Sequence, residues 1–161
     1  MAKESLFNIL NNYIDFEEVK VLDLFAGTGN ISLEFVSRGA SLVMSVELNG
    51  RCVDFISKMA TDFKFKNLTT IRANVLTYLA RPAGSYDVIF ADPPYDLENR
   101  EQIPQLVFEN KWLTDDGWFV MEHDKYISFK NHPCFSEERR YGKIHFTFFR
   151  KNEVRDLPSS D

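Results

Sequence analysis

The sequence predicts an α/β domain: a mostly parallel twisted sheet with helices on both faces, closed by a C-terminal antiparallel hairpin. Three observations carry this. Short apolar runs alternate five times with stretches of helical spacing, the pattern of parallel strands joined by right-handed crossovers. The run Tyr86 to Ala91 is mostly apolar and has apolar residues on both faces, as a central strand covered by helices must. Phe135 to Tyr141 and Ile144 to Arg150 flank Gly142-Lys143, a hairpin signature.

In order along the chain, Leu6, Phe7, Leu10 and Ile14 recur at helical spacing and predict an N-terminal helix over 3–14. Asp15 to Glu18 separate it from a strand at Val19 to Phe25, which runs into the glycine-rich turn Ala26-Gly27-Thr28-Gly29-Asn30. Ile31, Leu33, Phe35 and Val36 mark the next helix, ending at Gly39. Leu42 to Val46 is a second strand closed by Glu47, and Val53, Ile56, Ala60 and Phe63 define one helical face. Leu68 to Ala73 is a third strand, followed by Asn74, a short helix from Val75 to Leu79, and a turn at Pro82 to Ser85. Pro104 near the start of a helix over 100–110 suits the first helical turn. Asp115-Asp116-Gly117 reads as a turn before a fifth strand, Trp118 to Glu122.

The 161 residues fit one domain over 1–151, an N-terminal helix followed by a core over 19–151, with a polar tail at 152–161 expected to fray. No apolar run nears the ~20 residues that cross a bilayer, and no basic-then-apolar signal opens the chain. The expectation is a cytoplasmic monomer with no membrane contact. Cys52 and Cys134 lack metal-ligand spacing and read as reduced thiols, and the three histidines are scattered, so no metal is expected. The net charge of −5 is unusual for a chain that grips nucleic acid unaided. Basic candidates for phosphate contact are Lys64, Lys66, Lys125, Lys130, Arg139, Arg140 and Lys143.

The chemistry concentrates at strand ends. Pro93 and Pro94 cannot continue a ladder, so Asp92 and Tyr95 sit on a stiff corner at the carboxyl edge of the sheet, where such folds bind ligands. An acid beside a flat ring suits a planar substrate offering hydrogen-bond donors, such as a nucleobase with an exocyclic amine. Asp23 and Glu47 are delivered to the same edge. Asp23 beside the glycines would repel a pyrophosphate, and Ser32 replaces the third glycine of the dinucleotide pattern. S-adenosylmethionine fits better. Its ammonium would meet Asp23, its carboxylate the amides of Phe25 to Gly29 and the following helix N-terminus. Glu47 would accept from the ribose hydroxyls, Asn74 would meet the adenine edge, and Leu48 and Val75 would sandwich the ring.

Val21-Leu22-Asp23-Leu24-Phe25-Ala26-Gly27-Thr28-Gly29, then Glu47, then Asp92-Pro93-Pro94-Tyr95, resembles the class I S-adenosylmethionine-dependent amino-methyltransferases, which share a Rossmann-like fold. With the opening Glu4-Ser5-Leu6-Phe7-Asn8-Ile9-Leu10, the chain is similar from about residue 3 to 151 to the bacterial small-subunit (16S) ribosomal RNA guanine-N2 methyltransferases. Members of that family usually begin with a further basic β-hairpin arm, which this sequence is expected to lack. The resemblance implies S-adenosylmethionine as methyl donor, S-adenosylhomocysteine as product, and ribosomal RNA or an assembling small subunit as partner. Asp92, Pro93, Pro94 and Tyr95 would be the catalytic corner, with the Asp92 carboxylate and the Pro93 carbonyl accepting the two amine hydrogens and Tyr95 stacking on the base.

Two other readings stay open. A DNA adenine-N6 methyltransferase uses the same corner, although every connection here is too short for a target-recognition domain. A cofactor-binding module without catalysis would also carry these motifs. A nicotinamide dehydrogenase is disfavoured by Asp23 and Ser32.

Overall fold

The computed structural model describes residues 2–82 and 84–151. Seven strands form one sheet: β1 (Lys20–Leu24), β2 (Leu42–Glu47), β3 (Leu68–Arg72), β4 (Tyr86–Ala91), β5 (Leu113–His123), β6 (Phe135–Tyr141) and β7 (Ile144–Phe149). Their order is β3-β2-β1-β4-β5-β7-β6. The first five run parallel, and β7 then returns antiparallel to β5 and pairs with β6. This is the expected sheet, with the hairpin on one side.

Side-chain alternation explains why the central strands are apolar throughout. Val21, Val88 and Phe90 point to one face and pack with Leu6, Phe7 and Phe35. Leu22, Leu24, Ile89 and Ala91 point to the other and pack with Leu79, Ile103, Val107 and Trp112. The first face is thus covered by α1 (Ala2–Leu10), α2 (Asn30–Ser37) and α3 (Gly50–Asp62), the second by α4 (Val75–Leu79) and α5 (Ile103–Glu109). Each fully buried Leu, Ile or Phe contributes roughly 1.5–3 kcal/mol. Asp23 breaks the apolar run on the first face, and that exception belongs to the site.

Three expectations need correction. The N-terminal helix ends at Leu10, not at 14: Asn11 and Asn12 are poor helix formers, and the Asn12 amide already bonds back to Ile9 O at 3.0 Å in a tighter turn. Asp115-Asp116-Gly117 does not precede the fifth strand but lies within it. Tyr86 pairs with Leu113 and Val88 with Trp118, so residues 114–117 bulge out opposite Asp87 alone. The helix before the fifth strand opens as a 3-10 turn, Arg100–Gln102, and becomes α-helical only at Ile103. The tail at 152–161 lies outside the described residues. Among the described residues no helix is long and apolar enough to cross a membrane.

Candidate active site

The carboxyl ends of β1, β2, β4 and β5 bring Asp23, Glu47, Asp92 and Glu122 to one edge of the sheet. Backbone hydrogen bonds tie the loops there to their neighbours: Ala26 N–H to Val46 O at 3.1 Å, Ala73 N–H to Glu47 O at 3.1 Å, and Asp92 N–H to Leu24 O at 3.4 Å. The loops after β1, β3 and β4 are therefore anchored to neighbouring strands rather than standing as independent turns.

The glycine turn is shaped by backbone conformation. Phe25 (φ 60°) is left-handed, a conformation that costs a non-glycine residue roughly 1–2 kcal/mol. Gly27 (φ 57°) follows, and a Cβ built on it would meet nothing within 4 Å. The turn therefore faces open space on that side. Glu47 holds it from the next strand: Oε1 accepts from the Gly27 amide at 2.8 Å, and Oε2 from the Asn49 amide at 2.9 Å. Asn49 in turn caps α3 through the amides of Arg51 and Cys52. A carboxylate has about four lone-pair positions, so Glu47 keeps acceptor capacity for a ligand.

Asp23 is 1% exposed. The Ser32 hydroxyl donates to its Oδ2 at 2.6 Å and also meets Ser45 Oγ at 2.6 Å. Burial pushes the Asp23 carboxyl up to about 7; the Ser32 bond opposes that rise and the charge on Asp92 adds to it. Ser32, in sequence a missing glycine, is the group that satisfies a buried acid. Ser45 was not anticipated, since a lone serine inside an apolar strand carries no signal of its own.

Glu122 is the residue that sequence reasoning passed over. Ala91 pairs with Met121 in parallel register, which sets Asp92 beside Glu122, and their carboxyls share a hydrogen bond. Lost hydration raises the Asp92 carboxyl on its inner side, although part of the side chain stays open to solvent. Burial, and then the charge of Asp92, push Glu122 up to about 7. The available signal was an apolar strand ending in an acid, the pattern that drew attention to Glu47 and Asp92.

The expected site residues distribute over adjoining cavities. One of about 490 Å³ is lined by Phe25, Glu47, Leu48, Asn74, Val75, Asp92 and Pro94. A second of about 320 Å³ is lined by Asp23, Ala26, Gly27 and Thr28, with Phe25, Asp92 and Glu122. Phe25 and Asp92 border both. Gly29 lines neither and packs under the turn against Ile56. Pro93 is buried. Tyr95 opens instead onto a third cavity, with Arg100 5.7 Å from its ring centroid. Asn74 is the N-cap of α4, its Oδ1 accepting from Thr77 N–H at 3.1 Å, so the capability left for a ligand is chiefly its amide donor. Among the described residues no cluster of His, Cys, Asp and Glu is arranged to hold a metal ion.

Strand order, glycine turn and proline corner define the class: this is the Rossmann-like α/β fold of class I S-adenosylmethionine-dependent methyltransferases. The chain belongs to the family described as conserved hypothetical protein 95, which matches residues 1–150. It is 31% identical over 154 residues to ribosomal RNA small subunit methyltransferase D of Buchnera aphidicola subsp. Baizongia pistaciae, covering 91% of this chain and 76% of that protein. It is 34% identical to the protein of the same name from Haemophilus influenzae, covering 77% of this chain and 65% of that one. This chain therefore spans just under two thirds of the second relative. A solved chain from Escherichia coli, a candidate methyltransferase, superposes with a TM-score of 0.83 at 24% identity over 93% of this chain and 84% of its own length. That likeness concerns the fold.

Proposed function

We propose that this protein transfers a methyl group from S-adenosylmethionine to the exocyclic N2 amine of a guanine in small-subunit ribosomal RNA. One observation carries the proposal: Asp92 of the proline corner borders both cavities that contain the expected cofactor residues. The corner is neither plugged by the protein's own side chains nor remote from those cavities. The names of the relatives point to the same class of substrate.

The residues present fit the cofactor. Gly27 leaves the turn open for close backbone approach, Glu47 retains acceptor positions, and Phe25, Leu48 and Val75 supply apolar wall. Buried Asp23, with Asp92 and Glu122, lines the smaller cavity together with Lys3, and the ionised forms of these carboxyls suit a cationic ligand. Bound S-adenosylmethionine would supply an electrophilic methyl group. What the chain itself must do is present a weak nucleophile. Asp92 and the Pro93 carbonyl accept the amine hydrogens and favour a pyramidal nitrogen whose lone pair is free to react. Positioning of this kind accounts for up to ~7–11 kcal/mol of a barrier. The same acceptors stabilise positive charge developing on nitrogen.

The test is to incubate the protein with methyl-labelled cofactor and under-methylated small-subunit RNA, free and in assembled particles, and to map the product nucleotide. Label in guanine N2 is the expected result. Transfer only to adenine in DNA favours the rival enzyme. Cofactor binding with no transfer to any nucleic acid leaves a binding module.

A further inference from the structure

We propose that the cavity beside Tyr95 is a binding cleft for the single-stranded RNA next to the target nucleotide. This rests on the methyltransferase reading above and adds a location for the flanking strand. The cavity, of about 400 Å³, is lined by Tyr95, Asp124, Lys125, Tyr126, Arg140 and Lys143, among others. Tyr95 belongs to the proline corner, so the cleft adjoins the place assigned to the target base.

Its chemistry is the reverse of the chain as a whole. The protein carries a net charge of −5, yet three cations line this one cleft. Among the described residues, Lys125, Arg140 and Lys143 take part in no ion pair, whereas nearby Arg139 is paired with Glu137 at 2.7 Å. The cleft's acid, Asp124, is already engaged: its Oδ1 accepts from Arg100 at 2.9 Å and from the Tyr126 amide at 3.1 Å. Charge at the mouth is therefore available to phosphates. Two aromatic rings accompany it, Tyr95 at 43% and Tyr126 at 78% exposure, and Lys125 Nζ lies 5.3 Å from the Tyr126 ring centroid. An exposed tyrosine of that degree beside unpaired cations is the combination that binds single strands, bases stacking on rings while cations track the backbone.

Arg100 makes the cleft a built feature. It is 6% exposed and joins the two loops, pairing with Asp124 and lying over Tyr95. Its Nη1 is buried with no partner among the described residues. The loop carrying Tyr126 is thereby fixed relative to the corner carrying Tyr95, so a strand held by one is presented to the other.

The test measures affinity for a short fluorescein-labelled single-stranded RNA of mixed sequence, together with KM and kcat for methylation of small-subunit RNA. The variants are Tyr126→Ala and the double change Lys125→Ala/Lys143→Ala. Lys58→Ala/Lys111→Ala, at two exposed positions outside the cleft lining, controls for loss of two charges. Each cleft variant is expected to weaken oligonucleotide binding and raise KM by roughly tenfold, with kcat and cofactor affinity within about twofold of wild type. The double variant also lowers the salt dependence of binding, since fewer counterions are released. Unchanged affinity and KM in both variants, with an active wild type, overturns the cleft and leaves the proposed function standing. A wild type that methylates no RNA overturns the function, and oligonucleotide binding then decides the cleft separately. Equal affinity for duplex RNA of the same sequence refutes stacking.

Discussion

Asp92 and Glu122 share a hydrogen bond across the ends of two adjacent parallel strands. Two carboxyls so paired cannot both ionise cheaply: burial raises both, and the charge of Asp92 adds to the rise of Glu122, pushed up from 4.5 to about 7. Folded protein therefore holds a proton that unfolded chain releases from about pH 4.5 upward. A raised acid costs the native state stability progressively through that window, and the full cost stands above about 7. Buried His123, lowered from its ordinary 6.5, acts in the opposite direction, so wild type alone is a poor readout. Glu122→Gln isolates the effect. Its melting temperature relative to wild type should climb as pH rises from about 5 to about 8. A difference that is flat or falls with pH contradicts the shared proton.

Cofactor affinity should follow the same titration. Asp23 and Glu122 both ionise near 7, and a cationic ligand favours the ionised forms. Binding of S-adenosylmethionine, measured by calorimetry, should tighten between about pH 6 and about pH 7.5 and release protons. S-adenosylhomocysteine lacks the sulfonium charge and should show a weaker slope. Asp23→Asn should flatten the slope for S-adenosylmethionine. Identical slopes for the two ligands would mean that neither acid senses the sulfonium, and no slope for either ligand would remove both acids from the binding site.

Asp92→Ala and Tyr95→Ala test the corner itself. Asp92 borders both cavities, while Tyr95 faces the neighbouring one. Each substitution should lower methyl transfer at least ~100-fold, about 2.7 kcal/mol of transition-state stabilisation. Near-wild-type turnover in Asp92→Ala would sink the mechanism.

Glu47→Ala has a double consequence. It removes acceptors proposed for the ribose hydroxyls and also the carboxylate that holds the Gly27 and Asn49 amides. A hydrogen bond to a charged group contributes roughly 1.5–3 kcal/mol. Weaker cofactor binding should therefore appear with a lower melting temperature. Addition of saturating S-adenosylhomocysteine should stabilise the variant less than wild type. Equal ligand-induced shifts would assign Glu47 a purely architectural role.

Strand positions were legible because burial on both faces leaves an unbroken apolar run, as in Val88, Ile89, Phe90 and Ala91, and turn residues end it. Less legible were features that depend on contacts distant in sequence. Ser32 looks like a lapse from a glycine pattern until its hydroxyl is found on Asp23. Glu122 gains its meaning from Asp92, thirty positions earlier but one strand over. Asp115-Asp116-Gly117 carries real turn chemistry, yet pairing with β4 resumes beyond it and makes it a bulge. Asn74 combines a cap and a cavity wall, and sequence alone weighs these as rivals.

The two glycines of the turn should fail in different ways. Both have positive φ, 57° at Gly27 and 85° at Gly29, so alanine at either costs roughly 1–2 kcal/mol in backbone strain. At Gly29 the added methyl would also stand 3.0 Å from Ile56 Cγ1, a core side chain that is 1% exposed and has little freedom to move. Overpacking there adds typically ~1–3 kcal/mol. At Gly27 the methyl meets no protein atom within 4 Å and projects into the space assigned to the cofactor. Gly29→Ala should therefore lose the more stability, measured by urea unfolding. Gly27→Ala should remain the better folded of the two and yet bind S-adenosylhomocysteine at least ~10-fold more weakly than wild type. Wild-type affinity in Gly27→Ala would mean that the ligand does not approach this turn.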